Sequence, residues 1–512
     1  MNKEKLKKEA RMDTKELEEA AAKRTEETRG TKGKKGREVK NEVAGAVCVR
    51  VKLGVLRAAL AAAGAAVSRK PRIEEFGAVR LNFERAAGAM PPMLRIEAAD
   101  PVVGVSALAR VGLCSLTGDA GACCAVNFAK LAAFVKLEDA ASEDDGADVD
   151  LESAAEILRV RTSADDGAVR ELRLRRVPAA EDAQAAREFI PDIIAKDLRF
   201  VRLWADGLAR ALALTLPTAD AVRAERASLC AVNFSLVERF GGEALVLEAS
   251  DGLVLVRASQ ETRWRGTDGE AASRAWAAAD GRLACYAWEA AAFSAAIPRD
   301  AAKALRKALS RADGESAAEV SFYSDPAAAE AVKARKTVSV HFPLKVKQEE
   351  VPAEATIFVK PSPAAGKFPD VAKAAADCLD LAEADAAGAS VNVRAGALSL
   401  LAAGALSSHP AAEGFGVSLA ADFAAGELEA RCDFGDAYRG RVNLEACAGG
   451  AELSVEEAEL GVFNARLLLR VFGAAAAGGV WRATFGKDLL VAETADGGAE
   501  AVAVVMGMRK QR

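Results

Sequence analysis

The residues that could carry out catalysis or hold a metal are few in this sequence, and their spacing suits neither task. The 512 residues include two histidines, His341 and His409, and nine cysteines. Because no two cysteines form a C-x-x-C motif, a zinc site with the usual ligand spacing cannot be written. The sequence also lacks a Walker phosphate loop and a dinucleotide-binding glycine motif, and no group of residues suits a carboxylate or cysteine mechanism. We therefore expect no catalytic residue, no metal and no cofactor.

Basic side chains are the second group with a chemical use, because many of them fall on predicted amphipathic helices. The helix predicted at residues 298–311 has an apolar side, which includes Leu305 and Leu309, and five cations. Such a face can bind phosphates, although a solvated helix face is the common alternative. The cations that we predict to face phosphate from this and other helices are Arg57, Lys130, Lys136, Arg210, Arg299, Lys303, Arg306, Lys307, Arg466 and Arg470.

Net charge divides the chain into a basic tail and an acidic body. Residues 1–40 carry a balance of +5, whereas residues 41–512 carry −10. The acidic body argues against nucleic-acid binding over the whole surface, but one basic face remains compatible with it. Residues 1–44 have the composition of a flexible or partly helical tail, and their many glutamates argue against a transit peptide. No apolar run is long enough to cross a membrane, so we expect no membrane partner.

The order of predicted elements repeats three times between about residue 47 and the C-terminus. Each copy has a strand that leads into a helix, further strands, and a second, basic helix that follows an apolar strand after a short turn. Residues 125–134, 296–305 and 461–470 introduce that second helix in the same way. The pattern predicts an α+β fold with a tail at residues 1–44 and domains at residues 45–186, 187–375 and 376–512.

The last predicted strand, residues 501–509, is apolar almost to its end. Met506 and Met508 share one face of this extended segment with Val502 and Val504. The simpler interpretation is a core strand that is covered on both sides. The alternative is that the two flexible methionines form a wall of a groove for a partner peptide.

Five short motifs follow one another in an informative order. They are A-S-D-G at 249–252, I-P-R at 297–299, G-K-F-P-D at 366–370, G-V-F-N at 461–464 and V-V-M-G-M-R at 504–509. Together they resemble the bacterial DNA sliding clamp, the β subunit of DNA polymerase III, over about residues 46–510. The resemblance implies three similar clamp domains per chain, with antiparallel sheets outside and paired helices inside. Two chains would close head to tail into a ring whose helices surround duplex DNA.

The resemblance implies a DNA polymerase processivity factor that encircles duplex DNA without reading its sequence. Such a protein tethers the catalytic subunit of the replicative polymerase, is handled by a clamp loader, and has no catalysis of its own. The alternative is a clamp-like paralogue that keeps the fold, does not load on DNA and serves as a protein-binding scaffold. The expected location is the cytoplasm, next to the nucleoid, with a plastid or mitochondrion as the alternative.

The resemblance also implies site residues. It adds one DNA-facing cation, Lys70, and a homodimer interface formed by Leu172 and Leu174 of one subunit with Ala405 and Leu406 of the other. The two leucines of the first subunit could instead be core positions. The implied pocket for partner peptides consists of Val232, Ser250, Gly252, Leu253, Val254, Leu255, Pro369, Lys373, Ala374, Phe415, Val504, Val505, Met506, Gly507, Met508 and Arg509.

This sequence departs from the family pattern within the implied pocket. Leu253-Val254-Leu255 stands where the family has His-Arg-Leu, which removes polar groups from the rim. Gly507 stands where the family has proline, and we expect this glycine to loosen the strand. Residues 279–283 are a competing match for the Asp-Gly motif, but only the match at Asp251 follows a hairpin that also aligns.

Overall fold

The structure is a computed structural model, and its described residues all belong to the unit Gly45–Arg512. They are 46–68, 71, 73–85, 91–118, 121–135, 146–154, 156–163, 169–178, 197–222, 226, 229–239, 242–261, 291–314, 316–324, 337–346, 352–361, 368–384, 389–408, 416–432, 438–444, 457–475, 479–486, 488–496 and 499–508. The predicted tail at residues 1–44 lies outside these ranges. None of the helices within them is both long enough and apolar enough to span a membrane.

The described chain consists of α-helices separated by one or more strands. The α-helices are α1 (Leu53–Ala63), α2 (Phe128–Phe134), α3 (Ala205–Ala221), α4 (Arg299–Leu309), α5 (Val371–Ala384), α6 (Ala395–Ser408) and α7 (Ala465–Phe472), with 3₁₀ turns at Gly64–Ala66 and Glu74–Gly77. The strands are β1 (Val47–Lys52), β2 (Ala78–Glu84), β3 (Met93–Asp100), β4 (Val105–Gly112), β5 (Ser115–Thr117), β6 (Cys123–Asn127), β7 (Asp148–Ser153), β8 (Ile157–Ser163), β9 (Val169–Arg175), β10 (Asp197–Trp204), β11 (Ala231–Arg239), β12 (Gly242–Ser250), β13 (Val254–Glu261), β14 (Ala291–Pro298), β15 (Ala317–Ser324), β16 (Thr337–Pro343), β17 (Ala353–Val359), β18 (Ala389–Arg394), β19 (Val417–Asp422), β20 (Glu427–Cys432), β21 (Tyr438–Asn443), β22 (Glu457–Phe463), β23 (Val480–Gly486), β24 (Leu489–Asp496) and β25 (Ala499–Met506).

The strands form four sheets in which two arrangements each occur three times. One arrangement is β1-β7-β8-β9, β10-β15-β16-β17 and β18-β23-β24-β25. The other is β6-β2-β3-β4, β14-β11-β12-β13 and β22-β19-β20-β21. The α+β class and the threefold repetition expected from the sequence are therefore confirmed. The domain limits stay a prediction: the limit at 186/187 lies outside the described residues, and the limit at 375/376 falls inside α5.

Successive repeats are joined by antiparallel pairing of their half-sheets. Strand β17 pairs with β4, and strand β25 pairs with β13, so that two continuous eight-stranded sheets cross from one repeat to the next. The two remaining half-sheets end in β9 and β21, and neither strand has an outer neighbour among the described residues. Strands at the corresponding places in the other half-sheets are paired across a junction, so we call the outer edges of β9 and β21, which have backbone groups left to pair, the open edges.

Six of the helices lie on one side of the sheets, which is called the inner face here. Helices α1, α3 and α6 begin directly after the first strand of their repeat, and α2, α4 and α7 begin after the strand that closes the second half-sheet. Helix α3 packs on α4 and α6 packs on α7, while α1 meets α4 and α3 meets α7 across the repeats. Asn127 and Asn464 cap α2 and α7 through their side-chain oxygens, which explains why the same short turn introduces the second helix.

Helix α5 is the one helix of the described chain that sequence analysis did not predict, and it packs against the opposite, outer face. Ala375, Leu379 and Ala382 form a buried cluster there with Val502 and Val504 of β25. Alanine favours a helix but gives a weak apolar pattern, so the periodicity of this segment is faint.

The edge strand β21 is held to its neighbour by an ion-pair cluster around Glu429. This carboxylate pairs with Arg431 at 2.6 Å, with Arg439, and with Arg441 at 3.4 Å. The Arg431 and Arg439 guanidinium groups hold the pKa of Glu429 at about 2. The charged form is therefore strongly favoured in the folded chain.

We predict that Glu429→Gln lowers the free energy of unfolding at pH 7 more than at pH 3. A carboxylate with a depressed pKa stabilises the fold above its unfolded pKa, and this contribution is lost as pH falls from about 4.3 toward 2. Urea unfolding of both proteins at the two pH values measures the difference. The matched control is Glu427→Gln, on the same strand as Glu429, which removes a single ion pair with Arg441 of β21. An equal loss at both pH values would contradict this account.

Candidate functional site

An exposed apolar patch lies on the outer face where strands β13 and β25 meet. Leu253 is 56% exposed and Met506 is 39% exposed, and the Met506 amide donates to the Leu253 carbonyl at 2.9 Å. Leu255 and Leu489 lie beside them and are half-buried. Leu255 is opposite Val504 in the strand pairing, and Leu489 is opposite Met506. We call Leu253, Leu255, Leu489 and Met506 the junction patch. It combines exposed apolar side chains with a rigid sheet beneath them, as a short peptide anchor requires.

Helix α5 covers the same outer face next to the junction patch. Its buried cluster includes Leu255 and Leu489 at the margin, so the patch is continuous with the base of the helix. Pro369 and Lys373 are exposed at the start of the helix, where the Asp370 side chain accepts from the Lys373 amide at 3.0 Å. The patch is therefore flanked by an ordered helix end with an exposed cation.

A tight turn at Asp251 and Gly252 sets the position of Leu253. Asp251 Oδ1 accepts from the amides of Leu253 at 2.8 Å and Val254 at 2.7 Å. Gly252 has φ +88°, a left-handed conformation that favours glycine, and its amide donates to Ser250 Oγ at 3.2 Å. The second oxygen of Asp251 accepts from the Arg470 guanidinium of α7. A helix of the third repeat therefore holds the turn of the second repeat that carries Leu253.

A buried polar network lies in the outer face of the same sheet, across strands β11, β12 and β13. Arg257 pairs with Glu248 at 2.7 Å, and the amide nitrogen of Asn233 donates to the other Glu248 oxygen at 3.0 Å. Burial raises the pKa of Glu248, and the nearby Asp370 carboxylate raises it further, whereas the Arg257 guanidinium lowers it. Since Asp370 caps α5, this interaction also indicates that the start of α5 lies close to β12.

The structure corrects part of the predicted peptide pocket. Val232, Val254 and Val505 are fully buried in strands whose side chains at these positions face the inner core, so no peptide can reach them. Val504 and Ser250 are also buried: the first packs under α5 and the second supports the Asp-Gly turn. The predicted residues that are exposed are Gly252, Leu253, Pro369, Lys373 and Met506, while Leu255, Ala374, Gly507 and Met508 are half-buried. Phe415 and Arg509 lie outside the described residues.

Gly507 does not loosen the last strand, contrary to expectation. Its amide donates to the Asp488 carbonyl at 2.7 Å, a bond that proline could not make. A Cβ atom at this position would lie 2.8 Å from the Asp488 backbone carbon, so a larger residue would force a shift. The next amide, of Met508, donates to the Val462 carbonyl at 2.7 Å. The chain end is thus bonded to the third repeat on both sides.

The predicted phosphate-facing cations separate into three groups. The prediction that Arg57 faces phosphate is wrong, because this side chain is buried and donates to the Val135 carbonyl at 2.6 Å. Arg470 is committed to Asp251, and other cations are neutralised by acids: Arg210 pairs with Asp206 at 2.7 Å, and Lys303 pairs with Asp220 at 2.5 Å. The exposed members are Lys130, Arg306, Lys307 and Arg466. Arg299 is half-buried and donates to backbone carbonyls of α3 and its C-cap residue. Lys70 and Lys136 lie outside the described residues.

Positive charge on the inner helices is concentrated on α4. This helix presents Arg299, Lys303, Arg306 and Lys307 against one acid, Asp300. Its apolar side is buried as predicted, including Leu305 and Leu309. Helix α6 is the opposite case, because it contains no charged residue and its Leu400 is 67% exposed.

The residues predicted for the subunit interface lie on or beside the open edges. Leu172 is half-buried and Leu174 is buried, both on the edge strand β9. Ala405 is buried in α6 and Leu406 is half-buried there, and α6 packs against β21. Sequence analysis predicts strands in this region but does not fix the limits of β21, because Y-R-G-R-V-N has few of the large apolar residues by which strands are recognised.

The described residues contain no group of three or more His, Cys, Asp or Glu side chains that could hold a metal ion. The described cysteines include exposed Cys48 and Cys114 and buried Cys124 and Cys432. Burial raises the pKa of the Cys124 thiol, which disfavours the nucleophilic thiolate.

Comparison with known proteins gives a match in structure and none in sequence. No protein-family model matches the chain, and no curated protein matches it in sequence. Among solved structures, the DNA polymerase III β subunit of Thermotoga maritima is similar with a TM-score of 0.58 and 14% identity, over 90% of this chain and 99% of that one. The β sliding clamp of Caulobacter crescentus has a TM-score of 0.57 and 18% identity, over 91% of this chain and 99% of that one. The DNA polymerase sliding clamp of Bacillus subtilis has a TM-score of 0.57 and 14% identity, over 91% and 100%.

These matches cover nine-tenths of the chain and nearly all of each neighbour. Identity below a fifth means that the likeness concerns architecture. The chain therefore has the fold of the bacterial DNA sliding clamp, the β subunit of DNA polymerase III.

Proposed function

We propose that this chain is a sliding clamp: two copies enclose duplex DNA and hold a DNA polymerase and a clamp loader through short apolar peptides. It acts as a non-catalytic scaffold. The observation that carries the proposal is the threefold strand order that leaves two open edges, β9 and β21. Two internal junctions already join equivalent strands, so a second copy can complete the open ones in the same way.

The inner helices support binding to a duplex without base readout. Exposed cations such as Lys130, Arg306 and Arg466 lie on helices and not on loops that could contact base edges, and each can neutralise a phosphate. Their number is small, so the direct affinity is weak and enclosure must supply the lasting attachment. Weak, mobile contact suits a protein that slides.

The junction patch supports the binding of partner peptides. Two or three apolar anchors at about 1.5–3 kcal/mol each, reduced by the cost of ordering a peptide, give affinities on the order of micromolar. Such affinities allow polymerase and clamp loader to exchange at one site. The loss of histidine and arginine from the rim makes apolar contact the main source of binding here.

A second candidate function is a clamp-like scaffold that does not load on DNA. Four observations favour it: Arg57 is buried, Arg210 and Lys303 are paired with acids, and helix α6 is uncharged. These features leave α4 as the main basic surface of the inner face. DNA binding separates the two functions, whereas peptide binding is common to both.

We predict that Leu253→Asp and Met506→Asp each weaken binding of a short peptide with leucine and phenylalanine anchors by about tenfold to a hundredfold. Each change removes one apolar contact of ~1.5–3 kcal/mol and adds a charge. Fluorescence anisotropy of the labelled peptide measures the dissociation constant. Val102→Asp is the matched control, because Val102 is 78% exposed in the first repeat. Unchanged binding in both junction-patch variants would remove the patch from the proposal.

We predict that Arg470→Gln weakens peptide binding and lowers the free energy of unfolding by ~1–3 kcal/mol. It removes a charge-assisted hydrogen bond to a largely buried Asp251 and releases the turn that carries Leu253. Arg466→Gln on the same helix is the control, and its exposed side chain should cost ~0.5 kcal/mol or less. Peptide anisotropy and urea unfolding measure the two effects. If peptide affinity is unchanged while stability falls, Arg470 supports the fold and not the patch.

We predict that Arg306→Gln lowers the slope of log affinity for duplex DNA against log salt by ~0.9, the contribution of one phosphate contact. Titration at several salt concentrations gives the slope for each protein. Arg110→Gln, on the outer face of strand β4, should leave the slope unchanged. A wild-type chain that shows no binding to DNA, even when a clamp loader and circular DNA are supplied, would favour the non-loading scaffold.

A further inference from the structure

The two internal junctions provide a template for the open edges. Each repeat has two joining strands, one at the outer edge of each half-sheet. Four of these six strands are paired at the two junctions, and β9 and β21 are the two that have no outer neighbour in the described chain. The joining strands at corresponding places are β9, β17 and β25 on one side, and β4, β13 and β21 on the other. A register observed twice within the chain can therefore be carried over to the third pair.

The first set of joining strands can be aligned residue by residue. Each repeat starts with a strand that runs straight into its first helix, and the strand ladders can be followed outward from that point. This makes Leu172 in β9 equivalent to Ile357 in β17 and Ala503 in β25. The alignment uses backbone pairing alone and no similarity of side chains.

The second set aligns from the start of the second helix of each repeat. Following the ladders outward makes Tyr438 in β21 equivalent to Ala107 in β4 and Val256 in β13. In both existing junctions the equivalent residues face each other. Ile357 lies opposite Ala107, and Ala503 lies opposite Val256. The two independent alignments therefore agree on one register.

We propose that β9 of one subunit pairs antiparallel with β21 of a second copy, with Leu172 opposite the partner's Tyr438 and Glu171 opposite the partner's Arg439. This inference rests on the two-copy clamp of the proposed function and specifies its contact. The seam then becomes a third continuous sheet, and the strands use the backbone groups that their open edges leave unpaired.

The charges on the outer face agree with this register. Arg50 pairs with Asp150 at 2.8 Å, and Arg161 pairs with Glu171 at 2.8 Å, on neighbouring strands of one row. The row ends at Glu171, and the register adds the partner's Arg439 as the next cation. The Arg173 and Arg161 guanidinium groups hold the pKa of Glu171 at about 2, so its carboxylate is charged at neutral pH.

Neighbouring registers fit less well. A slip of two residues in one direction places Arg173 opposite the partner's Arg439, which sets like charges against each other. A slip of one residue turns Leu172 to the charged face, although it packs against the inner core in the free chain. The proposed register keeps Leu172 and the partner's Tyr438 on the inner face, where both side chains are half-buried already.

The first test reverses the two charges separately and then together. In Glu171→Arg, both seams of a head-to-tail pair would place arginine opposite arginine. In Arg439→Glu, both would place glutamate opposite glutamate. An equimolar mixture restores an opposite-charge pair in each seam. We expect each variant alone to dimerise at least about tenfold more weakly than wild type, and the mixture to recover a mass near twice 53.3 kDa.

Sedimentation velocity measures these masses, and circular dichroism melting shows whether each variant is folded. Lys345→Glu makes the same net-charge change as Arg439→Glu at an exposed position just after β16 in the second repeat, and it should dimerise like wild type. Folded single variants that dimerise normally, or a mixture that does not recover, would overturn the register while leaving the two-copy clamp intact. A wild-type chain that stays monomeric at tens of micromolar would overturn the clamp and the register together.

The second test uses a disulfide across the seam. Hydrogen bonds at both junctions, from Met506 to Leu253 and from Lys360 to Gly104, make the equivalents of Leu172 and the partner's Tyr438 a non-hydrogen-bonded pair, in which side chains lie closest. Leu172→Cys combined with Tyr438→Cys should therefore form a covalent dimer on oxidation. The combination of Leu174→Cys with Tyr438→Cys, two residues out of register, should form at least about tenfold less. Single variants report any background from native cysteines, and equal yields from the two pairs would reject the register.

Discussion

The requirement that strand edges be paired governs this molecule. A half-sheet with an open edge presents a row of unsatisfied amides and carbonyls, and the chain meets this problem by joining each repeat to the next. On the inner face, both junctions align mostly small or β-branched residues across the contact, such as Ala109 opposite Ala355 and Ala503 opposite Val256. Small side chains let the strands continue one sheet without a break. The position of the helices, the patch and the remaining edges all follow from these junctions.

The two faces of the sheets carry charge in different ways. On the outer face of the first half-sheet, cations and acids alternate from strand to strand, as Arg50, Asp150, Arg161 and Glu171 do, so their charges balance. On the inner face, acids within or beside α3 neutralise several of the cations, and excess positive charge remains chiefly on α4. A chain with an acidic body can therefore still present a limited basic surface. The balance explains why the inner helices read as strongly basic in sequence but are only partly so in the fold.

The sequence predicts the repetition, the fold class and the apolar side of α4, because these depend on periodic patterns along one segment. It misassigns Arg57 and Val232, because the direction of a side chain depends on which face of an element meets the core. It misses α5, whose alanine-rich pattern is faint, and it does not fix the limits of β21, whose sequence Y-R-G-R-V-N has few large apolar residues. The direction of a side chain and the limits of a weakly patterned segment are therefore what sequence reasoning could not supply.

The Asp-Gly turn connects the two faces. Asp251 caps two amides of the strand that leads into the junction patch, and it also binds Arg470 on an inner helix. Both oxygens of the Asp251 carboxylate have partners, and both charged side chains are mostly buried, so moving the turn would expose a charge pair and break two hydrogen bonds from backbone amides to Asp251. Such an arrangement favours a fixed geometry over a switch. A peptide on the patch would thus meet a surface whose position is already set by the inner helix, and this preorganisation lowers the ordering cost of binding.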